Sequence, residues 1–148
     1  MFKMFRRWFS PAAPESFGDR GERIASEWLR RHRNFVLVAA NWRNPHDRRD
    51  EIDLVCRDAE LLVFVEVKSR TAGGLVPGYY AVDRRKKRAL RRGIMAYLAG
   101  LRKKPPSFRF DIVEVNFPQL SASRVAAAVP PEILHFENVP LFSKSFRA

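Results

Sequence analysis

The chain is nearly devoid of cysteine: Cys56 is the only one in 148 residues. That excludes an intramolecular disulfide. With three scattered histidines (His32, His46 and His135) it also offers no zinc-ligand spacing. Cys56 sits among apolar neighbours in a predicted strand with no histidine near it in sequence, so it reads as a small buried hydrophobe and not a nucleophile. No apolar run approaches the length of a membrane span. The opening stretch MFKMFRRWFS mixes Phe and Trp with Lys and Arg and lacks the continuous apolar region of a secretory signal. It reads as a loosely ordered arm, with a weak interfacial anchor as the lesser alternative. These absences point to a reducing, cytoplasmic setting.

Acidic residues are also in short supply. There are 16 Asp+Glu against 28 Lys+Arg, a net charge of +12. Such an excess implies a polyanionic partner, nucleic acid before an anionic membrane surface. The length fits one domain, and 46% hydrophobic residues place it in the globular class.

The chain divides into an arm (1–15), a core (16–117), and a loop, short edge strand and tail (118–148) that pack on the core. Ser16 followed by Asp19, and Asp19 by Glu22, are N-cap spacings that open a helix ended by Asn34. Its apolar face is Phe17, Gly21, Ile24, Ala25, Trp28 and Leu29, with Glu22 on the margin, turned about 20° from Leu29. Residues 35–42, FVLVAANW, predict a strand, and RNPHDRRD (43–50) a polar loop. Two strands follow, separated by a tight turn around Asp58-Ala59-Glu60. TAGGLVPG (71–78) is a Gly/Pro loop. A helix over 81–101 carries the stripe Leu90, Ile94, Tyr97, Leu98 and Leu101. Arg84, Arg85, Arg88, Arg91 and Arg92 face away from it, and Lys86 and Lys87 flank its first turn. FRFDIVEV (108–115) alternates as a strand, and EILHFEN (132–138) is a short edge strand. The order αβββαβ implies an α/β fold, a small mixed sheet flanked by helices.

Charge intrudes where apolar residues dominate. Leu61-Leu62-Val63-Phe64-Val65 reads as a strand buried on both faces, yet Glu66 and Lys68 follow at once. The preceding strand alternates, with Glu51, Asp53 and Val55 on one face and Ile52, Leu54 and Cys56 on the other. A two-residue loop at Ala59-Glu60 makes paired positions sum to 119, which sets Asp53 across from Glu66 and Glu51 across from Lys68. Two carboxylates so close repel unless a positive group sits between them. Lys68 serves in part. Mg²⁺ or Mn²⁺ serves better, polarising a phosphodiester while the lysine orients water or stabilises developing charge. For an Asp…Glu-x-Lys pattern alone, a charge cluster on a half-exposed sheet face is the more ordinary outcome. The apolar strand that carries it, the basic chain and the flanking helices favour a site.

Asp53 with Glu66-Val67-Lys68 in this order of elements resembles the PD-(D/E)xK nuclease superfamily. More closely, the chain resembles the YraN-like family of bacterial endonuclease-like proteins. The shared blocks are Gly21-Glu22, NWR at 41–43, EIDLV at 51–55, FVEVKSR at 64–70, Ala81-Val82 to Lys86, RFDIV at 109–113 and FEN at 136–138. The resemblance implies a restriction-endonuclease-like core close to that of Holliday-junction resolvases. It makes Asp53 and Glu66 metal ligands, Val67 a carbonyl donor, Lys68 the catalytic lysine and Glu22 an additional acid. Lys86 matches the basic residue of the second helix. Ile52 stands in place of the superfamily's Pro, and Asp50 in place of the family's usual Gly.

For the basic residues, Lys86, Lys87, Arg84, Arg88, Arg91 and Arg70 form the candidate track for a phosphate backbone, against the ordinary reading of a solvated helix face. No base-reading signature is present, so recognition by DNA structure is expected, with branched or single-stranded DNA as the substrate. Two functions follow: a metal-dependent endonuclease, or a non-catalytic nucleic-acid-binding protein on a nuclease fold. A homodimer is left open.

Overall fold

The computed structural model describes residues 14–71, 83–119 and 129–142. Nearly all of the N-terminal arm, the Gly/Pro loop, most of 118–131 and the tail lie outside the described residues. The elements are α1 (Phe17–Arg33), β1 (Val36–Arg43), β2 (Glu51–Asp58), β3 (Leu61–Thr71), α2 (Arg84–Gly100), β4 (Phe108–Phe117) and β5 (Glu132–Phe136). The five strands form one sheet in the order β1-β2-β3-β4-β5. Only β3 and β4 run parallel; the other neighbours are antiparallel. With a helix on each face, this is the α/β layout of a restriction-endonuclease-like core.

The local signals act as expected. Ser16 caps α1 by accepting from the Asp19 N–H at 3.1 Å, and Asn34 ends it in the left-handed region at φ 56°, a conformation asparagine tolerates. Asp83 caps α2 in the same way, accepting from the Lys86 N–H at 2.8 Å. The β2–β3 turn is the two-residue loop Ala59-Glu60, and the pairs from Asp58–Leu61 to Leu54–Val65 all sum to 119.

Two cores sandwich the sheet. On one face Ala25 and Leu29 of α1 pack on Leu54, Cys56, Val63, Val65, Val67, Val113 and Val115. On the other, Leu90, Ile94 and Leu98 of α2 pack on Ile52, Val55, Phe64, Phe110 and Ile112. Burying side chains of this size contributes roughly 1.5–3 kcal/mol each. β3 is thus covered on both sides, which accounts for its unbroken apolar run.

The expected alternation of β2 fails at one place. Ile52 does not share a face with Leu54 and Cys56. It packs with Val55 on the α2 side, against the bare backbone of Gly93. The side-chain order therefore slips by one at Asp53. On β1, the residue between the pairs Ala40–Leu54 and Trp42–Ile52 is Asn41, whose φ is +47°. Ala40 packs towards α1 and Trp42 towards α2, so both strands turn over at this level.

Candidate metal-binding and nucleic-acid site

β2 and β3 part company at Asp53. Their ladder stops at Leu54–Val65, so the expected direct pairings Asp53–Glu66 and Glu51–Lys68 do not form. Instead the Asp53 carboxylate spans the opening, and its Oδ2 accepts from the Val67 N–H at 2.8 Å. A strand residue's N–H and C=O face the same neighbour, so the Val67 carbonyl faces this opening too.

Glu66 is the next residue inward. It lies on the α2 side of β3, only 2% exposed. Its Oε1 receives Lys68 Nζ at 2.8 Å and Lys86 Nζ at 3.2 Å, the second reaching down from the first turn of α2. Its Oε2 is buried without a hydrogen-bond partner among the described residues. Glu22 approaches from the opposite helix. Gly21 permits this, because a Cβ there would overlap the Ser69 side chain of β3. One Glu22 oxygen, Oε2, is also buried and unpartnered.

The electrostatics follow from burial. Desolvation, then the Glu66 charge, push the Asp53 carboxyl far above its usual range; the Val67 N–H and Lys86 oppose them. Glu22 is pushed up to about 7, again mainly by burial, with the Asn41 side chain holding it down and Asp19, Glu51 and Glu66 adding to the rise. Burial pulls Lys86 downward, but Glu66 and Asp53 outweigh it and raise its pKa. Three carboxylates thus face a shortage of positive charge that two lysines only partly supply.

The donors suit a hard divalent cation: two carboxylates, one of them with its Oε2 buried and unpartnered, and a facing backbone carbonyl. No group of three His, Cys, Asp or Glu side chains among the described residues is gathered closely enough to enclose a metal alone.

The remaining candidates scatter. Arg84, Arg88 and Arg91 are exposed on α2, Lys87 is half-buried, and Arg70 is half-buried on β3 opposite Asn116. Two residues were missed. Glu114 lies beside Lys68 in the β3–β4 register and is only 5% exposed. The alternation Phe110, Ile112, Glu114 marks it once β4 is known to run parallel to β3. Asp50 is 1% exposed and grips Arg92, with Nη2 at 2.8 Å and Nε at 3.1 Å. That pair, 42 residues apart in sequence, carries no local signal.

Comparison with known proteins decides the relationship. The model of Uncharacterised protein family UPF0102 matches residues 21–115, running from Gly21 on α1 through every strand of the site to Val115 on β4. The chain belongs to this family. A UPF0102 protein of Geobacter metallireducens is 39% identical over 124 residues, covering 84% of this chain and 91% of that one. One from Symbiobacterium thermophilum is 42% identical over 99 residues, covering 67% and 80% respectively. Another from Chlorobium limicola is 31% identical over 114 residues, covering 76% and 84%. The UPF0102 match takes in Glu22, Asp53, Glu66, Lys68, Lys86 and Glu114 and stops short of β5. Among the described residues no helix is long and apolar enough to cross a membrane.

Proposed function

We propose that this protein is a metal-dependent endonuclease that hydrolyses DNA phosphodiester bonds, selecting DNA by structure and not by sequence. One observation carries the reading: two buried carboxylates, Asp53 and Glu66, meet at the opening between β2 and β3, with the Lys68 ammonium 2.8 Å from one of them. A core normally excludes such a set unless a cation completes it.

In this reading Asp53, Glu66 and the Val67 carbonyl hold Mg²⁺ or Mn²⁺. The cation supplies Lewis acidity toward a phosphodiester and lowers the pKa of water. Lys68, partly exposed and tethered to Glu66, orients the attacking water and stabilises charge on the phosphate. Glu22, which titrates near neutrality, is placed to accept or return a proton. Lys86 holds Glu66 from the α2 side. The strongly basic chain supplies attraction for the substrate.

The alternative, a non-catalytic nucleic-acid-binding protein, draws on the two lysines that already neutralise Glu66 Oε1. A paired measurement separates the two. Wild type and Glu66→Gln are compared for single-turnover cleavage of single-stranded, duplex, flapped and four-way DNA, with Mg²⁺ or Mn²⁺ and with EDTA, and for binding by gel shift. The expected result is metal-dependent cleavage lost in the variant with binding kept or slightly tighter. Equal cleavage by both proteins refutes the assigned site. Binding without cleavage by wild type on every substrate establishes the alternative.

A further inference from the structure

Beside the carboxylates lies a groove of about 610 Å³, walled by the 44–50 loop on one side and the first half of α2 on the other. Lys86 belongs to both places: it lines the groove and its Nζ reaches Glu66 at 3.2 Å. Lys86 thus stands between the groove and the proposed site.

Its arginines are not equivalent. Arg92 is gripped by buried Asp50 at 2.8 Å. Arg49 is forked onto Asp47, with Nε to Oδ1 at 2.9 Å and Nη2 to Oδ2 at 2.7 Å. Only the Asp50–Arg92 pair ties the two walls together; Arg49, 85% exposed, is paired within its own loop. Asp50 also receives the Asn44 side-chain amide at 3.4 Å, and its carbonyl accepts from the Asn44 N–H at 3.0 Å, so the loop is closed on itself and pinned to α2. Arg85 and Arg88 differ. Both line the groove, both are exposed, and neither forms an ion pair with any described residue. Asp83, the remaining acid on this wall, is spent as the N-cap of α2. The guanidiniums of Arg85 and Arg88 are thus the uncommitted donors, and a guanidinium fork matches phosphate geometry.

We infer that this groove seats the sugar–phosphate backbone of one nucleic-acid strand as it enters the site, with Arg85 and Arg88 as its phosphate ligands and Arg49 and Arg92 as structural walls. The inference rests on the proposed nucleic-acid substrate and narrows it. The basic stripe expected from sequence ran through Arg84, Arg88 and Arg91. Arg84 and Arg91 do not line the groove; on the helical wheel they lie about 100–120° from Arg85 and about 40–60° from Arg88, on the side of Arg88 away from the groove. A diffuse basic face engages both stripes alike, whereas a groove engages one.

The test uses this difference. Arg85→Gln/Arg88→Gln and Arg84→Gln/Arg91→Gln remove the same charge from the same helix at exposed positions. Binding to labelled single-stranded and duplex DNA is followed by fluorescence anisotropy in EDTA over a range of salt, so cleavage plays no part. Losing two phosphate contacts makes the slope of log K against log salt shallower by about 1.4 on single strands or about 1.8 on duplex. That change is expected for Arg85→Gln/Arg88→Gln on at least one of the two substrates, and which one shows it identifies the strand form seated. The Arg84→Gln/Arg91→Gln slope is expected to match wild type. The single variant Arg88→Gln, expected to give half the change, repeats the test with less disturbance to α2. Equal flattening by both double variants overturns the groove in favour of a diffuse field. An unchanged slope for Arg85→Gln/Arg88→Gln, with wild type binding DNA, overturns the groove and leaves the nuclease reading standing. Wild type that binds neither DNA form overturns the groove, and the nuclease reading is then decided by the flapped and four-way substrates of the cleavage test.

Discussion

Replacing Asp53 by Asn should stabilise the ligand-free protein at alkaline pH, the reverse of the usual effect of changing a buried residue. The Asn Oδ1 keeps the volume and still accepts from the Val67 N–H, the bond Asp53 makes at 2.8 Å. What is lost is a buried charge beside Glu66. Asp53 is pushed up to about 8 from 3.8 by burial and by Glu66. A carboxyl whose folded pKa exceeds its unfolded one destabilises the fold once it must ionise. The penalty begins as pH rises past 3.8, the value in the unfolded chain, and is complete above the folded value. Each pH unit between the two is worth about 1.4 kcal/mol, so the ceiling is about 5–6 kcal/mol. Relaxation around a buried charge takes back part of such a penalty, and half the ceiling, about 2–3 kcal/mol, is the expected gain at pH 8.5. At pH 4 the folded carboxyl is protonated and the unfolded one only about half ionised, so the penalty is about 0.5 kcal/mol and the two proteins should be nearly equal. Urea unfolding in EDTA at pH 4, 6.5 and 8.5 measures this directly. A variant less stable than wild type by a constant amount across that range refutes the account, because it makes Asp53 a structural hydrogen-bond acceptor and not a strained charge.

Three further outcomes follow from the same geometry. Mg²⁺ or Mn²⁺ should raise the melting temperature of wild type, with apparent affinity falling up to tenfold, about 1.4 kcal/mol, for each pH unit below the Asp53 pKa, and Asp53→Asn should abolish most of the response in a thermal-shift titration. Lys68→Ala should retain that metal-induced shift yet lose about 10² or more in single-turnover rate. Asp50→Ala should cost about 1–2 kcal/mol by denaturant unfolding, below the ~3 kcal/mol of a strong charged hydrogen bond, because Arg92 is 55% exposed and water takes over its donors.

Much of this was legible from local chemistry. Ser16 and Asn34 bounded α1 because capping is written in a few adjacent residues. Ala59-Glu60, a poor turn dipeptide, still gave the right register, since the apolar runs on either side admit only one alignment that buries both. The stripe on α2 placed Leu90, Ile94 and Leu98 correctly in the core. What was not legible depends on distance in sequence. Asp50 looked like one more charge in a polar loop until α2 brought Arg92 to it. Glu114 was one more acid in an alternating strand until β4 was seen to run beside Lys68.

Asp53 is the instructive failure, because the alternation rule assumes a strand paired along its length. β2 is paired with β3 only as far as Leu54. Beyond that point its backbone is free of that partner, and the turn-over at Asn41 on β1 carries Ile52 to the α2 face with Trp42. The Val67 N–H then lacks a backbone acceptor. A buried N–H without one costs about 1–3 kcal/mol, and the Asp53 carboxylate meets that need. At this same opening Glu66 and Lys68 of β3 meet Lys86, which reaches Glu66 from α2. A continuous ladder would satisfy every backbone group and leave no room between the strands for a cation or a phosphate. The break in the period-two pattern and the gathering of charge therefore have one cause, the early end of the β2–β3 ladder. A sequence rule failing at the position proposed to hold the cation is what a site built on local departure from regular pairing produces.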